Sequence, residues 1–225
     1  WWVLDPLCFM LIYVFMFGYV FKSKQQYFAI FVFIGITFWD FFNKCLIQSV
    51  KLIKANKPIV SKVYIPKFIL ILVKIGVNGF KMFISLLIIV AMLAVWRVPI
   101  TYNVIYIIPI LMTLIVLVFG FSCYLLHYGV FVEDLSNVLN IALRFLFYLT
   151  GIFWSIMDRL PAPYNSYIGR CNPIAFLLTS ARDCVIYGST PHRKLLLLWF
   201  VIGLIISALG VRKIYKNENS YVKVI

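Results

Sequence analysis

The chain has 225 residues, of which 64% are hydrophobic and only 12% charged, and its mean hydropathy is +1.01. Long charge-poor runs are typical of membrane helices and exclude an ordinary soluble domain. The formal charge of +14 is spread along the chain in short loops. In a membrane protein such charges set orientation and contact membrane lipids, so no nucleic-acid binding is expected.

Six apolar segments are long enough to cross a bilayer, so the sequence predicts an all-α membrane protein with six transmembrane helices. They run over residues 4–21, 28–50, 68–96, 104–128, 135–157 and 195–211. No internal repeat or low-complexity linker separates them, so residues 1–225 are expected to form one membrane domain. The sequence begins at Trp1, and we expect a native segment before it.

The loops indicate an orientation. The connection at 51–67 holds five lysines and no acidic residue, and the tail at 212–225 is also basic. With six spans, these regions fall on one side, and the positive-inside rule predicts that both termini are cytoplasmic. Arginines in the last outer loop weaken this bias.

Several polar residues lie within the predicted spans. Asp40 and Lys44 are four apart on the second helix and can pair on one face. Lys74, Asn78, Lys81 and Ser85 form a polar stripe on the third helix. A structural ion pair between Asp40 and Lys44 or Lys81 is the favoured interpretation, and a coupling-ion or proton site is the alternative. Arg144 in the fifth helix either attracts an anionic substrate group or snorkels to the surface.

The connection at 51–67 mixes lysines with apolar residues, and Pro58 and Pro66 interrupt any continuous helix. The lysines alone are a topology signal beside anionic lipid. Apolar residues exposed in such a loop instead indicate docking to a soluble partner.

Residues 172–188, NPIAFLLTSARDCVIYG, predict a short helix with Asn172 as N-cap, Pro173 at its first position and Gly188 as its stop. A helix over 173–187 is about 22 Å long, too short to cross a hydrocarbon core of about 30 Å. It is either a solvent-side loop helix or a membrane-dipping segment. Arg182 and Asp183 point about 100° apart, so each needs another partner, across a dimer or on a passing substrate.

Enzyme chemistry is not indicated. The sequence has no phosphate-cradling GxxxxGK[ST] loop, no HExxH, no CxxC pair and no converging nucleophile, base and acid. No catalytic or metal-binding residue and no cofactor of the chain's own is expected. Energy for uphill transport must therefore come from a partner or an ion gradient.

An ordered set of short motifs runs through nearly the whole chain. It comprises Trp1-Trp2-Val3-Leu4 with Pro6, Phe17-Gly18, Gly35, Trp39 with Phe41-Phe42, Lys62-Val63-Tyr64-Ile65-Pro66-Lys67, Glu133-Asp134, Leu160-Pro161, Asn172-Pro173, Arg182-Asp183 and Gly188. In order and spacing this set resembles the permease subunit of ABC-2-type polysaccharide exporters, which export O-antigen and teichoic acid. The chain departs from that pattern at Thr150-Gly151, where the family often has Ser-Pro, which weakens the expectation of a kink in the fifth helix. It also has Glu133-Asp134 where the family often has Arg-Asp.

The resemblance implies the ABC-2 (type V) exporter fold and a homodimer with two copies of a separate cytoplasmic ATPase, which binds ATP and Mg. It implies a coupling helix in the 51–67 loop and short re-entrant helices in the outer region 158–194, at the channel exit. The implied exit residues are Asn172, Pro173, Arg182 and Asp183. The implied ATPase-coupling residues are Lys57, Pro58, Ile59, Val60, Lys62, Val63, Tyr64, Pro66, Glu133 and Asp134.

The resemblance also implies that the first and fifth helices of each protomer line a continuous channel. Aromatic faces stack on the C–H faces of sugars without fixing a register, which suits a sliding glycan. The candidate lining residues are Trp2, Phe9, Tyr13, Phe17, Phe145, Tyr148, Phe153 and Trp154, with packing or lipid contact as the alternative role. The expected function is export of a lipid-linked polysaccharide across the bacterial cytoplasmic (inner) membrane. The alternatives are an ABC-2 exporter of small molecules or lipids, and an ion-coupled carrier or channel.

Overall fold

The computed structural model describes residues 4–13, 15, 27–60, 62, 65–155, 161 and 164–224. Throughout this part of the chain the regular secondary structure is helical. The helices are α1 (Leu4–Tyr13), α2 (Phe28–Val50), α3 (Leu52–Ala55), α4 (Lys57–Val60), α5 (Lys67–Val95), a 3₁₀-helix (Tyr102–Tyr106), α6 (Ile107–Phe131), α7 (Leu135–Leu149), α8 (Tyr164–Cys171), α9 (Pro173–Val185) and α10 (Arg193–Val224).

Four helical stretches of the described chain are long and apolar enough to span a membrane. They are Phe28–Val50, Lys67–Val95, Tyr102–Phe131 and Arg193–Glu218. They confirm the all-α membrane fold and match the second, third, fourth and sixth predicted spans. Of the first predicted span, the structure describes α1 and Phe15, and the remainder lies outside the described residues.

Helix α2 occupies the centre of the bundle. It contacts α1, α5, α6, α7 and α9, and it is the most buried of the four long helices. Helix α6, which contacts α2, forms a closely packed parallel pair with α10, in which Gly120 and Gly210 bring the two backbones together. Small residues at helix crossings allow such an approach in membrane proteins.

The fifth predicted span is not one continuous helix over 135–157, as we expected. Helix α7 has 15 residues, or about 22 Å, and ends at Leu149. Gly151 follows with φ +68, a left-handed conformation that glycine adopts readily, and the chain bends through residues 152–154. The structure therefore breaks the helix at Thr150-Gly151, the position where the sequence departs from the Ser-Pro of the resembling family.

The 51–67 connection, the Glu133-Asp134 turn and the C-terminal tail lie at the same end of the bundle, here called the basic end. A buried ion pair joins Lys67 Nζ to Glu218 Oε1 at 3.1 Å. Nearby, His127 Nδ1 and Tyr221 Oη lie 2.8 Å apart and share a hydrogen bond. The end of α10 is thereby fixed to the beginning of α5 and the last turns of α6.

Candidate translocation and coupling sites

Two short helices, α8 and α9, lie at the opposite end of the bundle and meet at Asn172. The Asn172 side chain accepts hydrogen bonds from the backbone N–H groups of Ile174 (3.1 Å) and Ala175 (3.3 Å), and Pro173 occupies the first turn. At the other end, Gly188 has φ +63, and its carbonyl accepts a 2.6 Å hydrogen bond from Asn103 Nδ2. The predicted N-cap and stop are confirmed, and the helix ends at Val185, two residues before the predicted end.

Helix α9 is packed into the molecule on most of its surface. It contacts α2, α6 and the 3₁₀-helix, and its apolar residues from Ile174 to Leu178 are buried. A helix in a solvent-side loop would instead bury one stripe and expose the rest. Thirteen residues are about 20 Å long, so α9 enters the bundle without crossing a bilayer.

Arg182 of α9 is 3% exposed and is satisfied entirely by backbone carbonyls of its own chain. Its guanidinium donates to the Phe31 carbonyl (3.1 and 2.9 Å), the Gly151 carbonyl (2.8 Å) and the Ile152 carbonyl (2.6 Å). It also lies 3.4 Å from the centre of the Phe31 ring. The expectation that Arg182 needs a partner across a dimer or on the substrate is therefore wrong, because these carbonyls supply the acceptors.

Sequence reasoning assigned Gly35 to a motif but missed its contact with this arginine. A Cβ at Gly35 would lie 2.7 Å from Arg182 Nη2, so only glycine leaves room for the guanidinium beside α2. Asp183, the next residue of α9, points elsewhere and is half-buried. Burial raises the pKa of its carboxyl to about 6, and the Arg182 charge partly offsets that rise.

A groove of about 380 Å³ separates α2 from α7. The described residues that line it are Trp39, Asn43, Leu143, Arg144, Phe147 and Tyr148. Trp39 and Phe147 contact edge to face, with ring centres 5.4 Å apart, and Phe147 contacts Tyr148 at 5.5 Å. The groove is therefore mostly aromatic and carries one cationic side chain.

The predicted channel-lining residues fall into three groups. On α7, Phe145 and Tyr148 are 69% and 70% exposed, which leaves both rings available to a ligand or to lipid. Beyond the helix end, Phe153 and Trp154 are half-buried, and Phe153 packs on Phe147 at 5.4 Å. Trp2 and Phe17 lie outside the described residues, and for Phe9 and Tyr13 the structure describes only their helical backbone in α1.

The chain is similar over its whole length to known proteins. No family model matches the chain. Two proteins of Klebsiella pneumoniae, each named O-antigen export system permease protein RfbA, are 24% identical to it, and each alignment covers 100% of this chain and 86% of the relative. The resemblance to polysaccharide-export permeases is confirmed. The similarity to these permeases therefore extends over every span and loop of the chain.

The 51–67 connection of the chain forms two short helices, α3 and α4, separated at Asn56. Leu52 and Ile53 are buried against the bundle, and so is Val60. By contrast, Ile59 is 50% exposed, and the predicted coupling residues Lys57, Pro58 and Lys62 are also exposed. Pro66 is half-buried, and Val63 and Tyr64 lie outside the described residues. The accessible apolar surface of the described loop is therefore centred on Ile59.

Asp40, Lys44, Asn78, Lys81 and Ser85 meet in one groove between α2 and α5. Lys44 Nζ donates to Asp40 Oδ2 at 2.7 Å, which confirms the predicted structural ion pair. Asn78 Nδ2 donates to Gln48 Oε1 at 3.0 Å, and Thr37, Lys81 and Ser85 complete the polar lining. The acidic turn, Glu133-Asp134, is exposed at the basic end.

Proposed function

We propose that the protein is the transmembrane, channel-forming subunit of an ATP-binding cassette transporter that exports O-antigen as a lipid-linked polysaccharide. The observation that carries this proposal is the full-length similarity to two O-antigen export permeases. The multi-pass helical fold supports it, because export requires a membrane-spanning pathway. The membrane is the bacterial cytoplasmic membrane, with both termini on the cytoplasmic side, as the lysines of residues 51–67 indicate.

ATP hydrolysis belongs to a separate subunit in this proposal. The permease sequence has no phosphate-cradling loop, so ATP and Mg are bound by two copies of a cytoplasmic ATPase. Helix α4 offers that partner an exposed isoleucine, Ile59, among lysines at the basic end of the bundle. A small apolar contact with a charged rim is typical of docking surfaces between subunits.

The exported glycan passes between two copies of the chain. Helix α7 buries only Ser136 and Leu143 within the described protomer and leaves Phe145 and Tyr148 exposed. A second copy facing this side would enclose an aromatic-lined path. Helices α8 and α9 would flank its outer exit, where Asn172 and Pro173 begin α9, Arg182 fixes it to the Gly151 carbonyl, and Asp183 is the next residue.

Two other functions have less support. An ABC-2 exporter of small molecules or lipids would share the fold, but the relatives are named for O-antigen export. An ion-coupled carrier would need mobile charges within the spans. Asp40 is instead paired with Lys44, as a structural role requires.

Docking through α4 is tested by Ile59→Asp in the permease co-expressed with its ATPase. A charge placed at the centre of an apolar contact is unfavourable, so ATPase co-purification should fall at least ~10-fold. Ile100→Asp is the matched control, because Ile100 is 67% exposed in the loop at the opposite end. Co-purification of the Ile59→Asp permease at the wild-type level, with Ile100→Asp also unchanged, would contradict docking by this helix.

A further inference from the structure

The groove between α2 and α7 has a chemical character that transport of a neutral glycan does not require. Its polar groups are the Arg144 guanidinium, the Asn43 amide, the Trp39 indole and the Tyr148 hydroxyl. Among the described residues that line it, none is acidic. The groove therefore carries one net positive charge surrounded by aromatic rings and hydrogen-bond donors.

The charge lies well along the helices rather than at their ends. Arg144 is the tenth residue of α7, about 14 Å along the axis from Leu135 at the basic end. Facing it from α2, Asn43 and Trp39 lie about 11 Å and 17 Å from Val50, the last residue of α2 at that same end. A charge at such a depth is costly against lipid and normally faces a water-filled cavity or a partner.

Within the described part of the chain, no residue neutralises Arg144. The ion pairs identified there join Lys44 to Asp40 and Lys67 to Glu218, and no hydrogen bond to the Arg144 guanidinium is formed among the described residues. Arg182 differs completely, since it is buried and donates to three carbonyls. The Arg144 guanidinium is exposed in the groove with its donors available.

The aromatic side chains define the kind of ligand. Tyr148 is 70% exposed, and Phe147, Trp39 and Tyr148 present contiguous rings beside Arg144. Aromatic faces suit the apolar C–H faces of a sugar ring. A guanidinium supplies paired donors in the geometry that a carboxylate or phosphate accepts.

We propose that this groove binds an anionic sugar unit, one that carries a carboxylate or a phosphate group, of the exported polysaccharide. The ring of the sugar stacks on Tyr148 and Phe147, and its anionic group accepts hydrogen bonds from Arg144 and Asn43. This assignment rests on the proposed function and deepens it, because it names an acidic glycan as the substrate class. The groove volume of about 380 Å³ is within the range of small-ligand sites.

The proposal is tested by ligand binding to the full chain in nanodiscs of neutral phosphatidylcholine. Saturation-transfer NMR measures binding of trigalacturonate, a short glycerol-phosphate oligomer and neutral maltotriose at low ionic strength. At least one anionic oligomer should bind about 10-fold more tightly than maltotriose, since hydrogen bonds to a charged group are stronger than those to a neutral one. A preference for one anionic oligomer identifies the carboxylate or the phosphate as the natural group.

Three variants assign the binding to the groove. Arg144→Gln should weaken binding of the preferred oligomer about 10-fold and leave maltotriose unchanged. Arg144→Lys should retain part of the preference for the anionic oligomer, and Tyr148→Ala should weaken the binding of all three oligomers. Arg212→Gln, at an exposed arginine of the tail, is the matched control and should have no effect. Unchanged melting temperatures verify that each variant is folded.

Three results would overturn the proposal: equal binding of anionic and neutral oligomers, a preference unaffected by Arg144→Gln, or full displacement of the oligomer by phosphatidylglycerol in the nanodisc. The last would assign Arg144 to lipid headgroups. Failure of this proposal is distinguished from failure of the proposed function by measuring the amount of surface polysaccharide on cells that lack the permease gene. If export depends on the permease and the groove shows no preference, only the present proposal fails.

Discussion

At the scale of single residues, Arg182 shows how a charge is accommodated inside this bundle. Its guanidinium joins the Phe31 carbonyl in the middle of the fold to the Gly151 and Ile152 carbonyls just beyond α7. The Gly151 and Ile152 carbonyls lie beyond the end of α7, where the chain is no longer helical and no following backbone N–H is positioned to donate to them. The arginine therefore satisfies the acceptors that the break in the fifth helix leaves unpaired.

Replacing Arg182 should destabilise the protein strongly. In Arg182→Met, the Gly151 and Ile152 carbonyls lose their donors, and each buried acceptor left unsatisfied costs about 1–3 kcal/mol. We expect a loss of about 2–6 kcal/mol in the free energy of unfolding, measured by denaturant titration in detergent. Arg170→Met, at an exposed arginine of α8, should change stability by less than about 0.5 kcal/mol. Equal stability of the two variants would contradict the bridging role of Arg182.

At the scale of elements, hydropathy and capping predicted some boundaries and missed others. The ends of α2 and the cap of α9 follow from local signals, the apolar run up to Lys51 and the Asn172-Pro173 pair. The end of α7 was missed because Ile152 and Phe153 continue the apolar pattern past the break. The available signal was Gly151, whose positive φ ends the helix.

The C-terminal helix, α10, fixes the start of α5 in place at the basic end of the bundle. Its Glu218 carboxylate lies 3.1 Å from the ammonium of Lys67, and both side chains are less than 10% exposed. Since Lys67 begins α5 directly after the 51–67 loop, this pair fixes the end of the loop to the tail.

Removing one member of this pair should cost more than replacing both. Glu218→Leu leaves the Lys67 charge buried without its carboxylate, and Lys67→Met leaves the Glu218 carboxylate buried without its ammonium; either change typically costs about 3–5 kcal/mol. The double variant Lys67→Met/Glu218→Leu removes both charges and should recover most of that loss. The melting temperatures of the wild type, both single variants and the double variant in detergent give the coupling between the two sites. Strictly additive effects would show that the two side chains do not stabilise each other.

At the scale of the whole molecule, the membrane class and most of the long helices could be predicted from composition and span length alone. Non-local contacts could not. Nothing near Arg182 in the sequence indicates that one of its acceptors is the Phe31 carbonyl, about 150 positions away. Nor does it indicate that a side chain at position 35 would clash with the guanidinium. The aromatic groove was predicted only in part, because Tyr148 was chosen from the fifth helix, whereas Trp39 and Asn43 enter from α2.

We propose that the chain forms a passive pathway and that a separate ATPase drives transport through it. Asp40 is paired with Lys44 and Lys67 with Glu218, so these charges have structural partners and do not call for an ion-driven cycle. Exposed aromatic rings along α7 and an exposed isoleucine on α4 mark the surfaces that other subunits should cover.

The most direct measurement is transport in proteoliposomes that contain the permease with or without its ATPase. Lipid-linked O-antigen is loaded on the outer, ATPase-bearing face, and its arrival in the lumen is followed with a lumenal glycosidase. The proposed function predicts translocation only when permease, ATPase and ATP-Mg are all present, and none with a hydrolysis-deficient ATPase. Translocation by the permease alone along an ion gradient, or none by the complete complex with ATP, would contradict it.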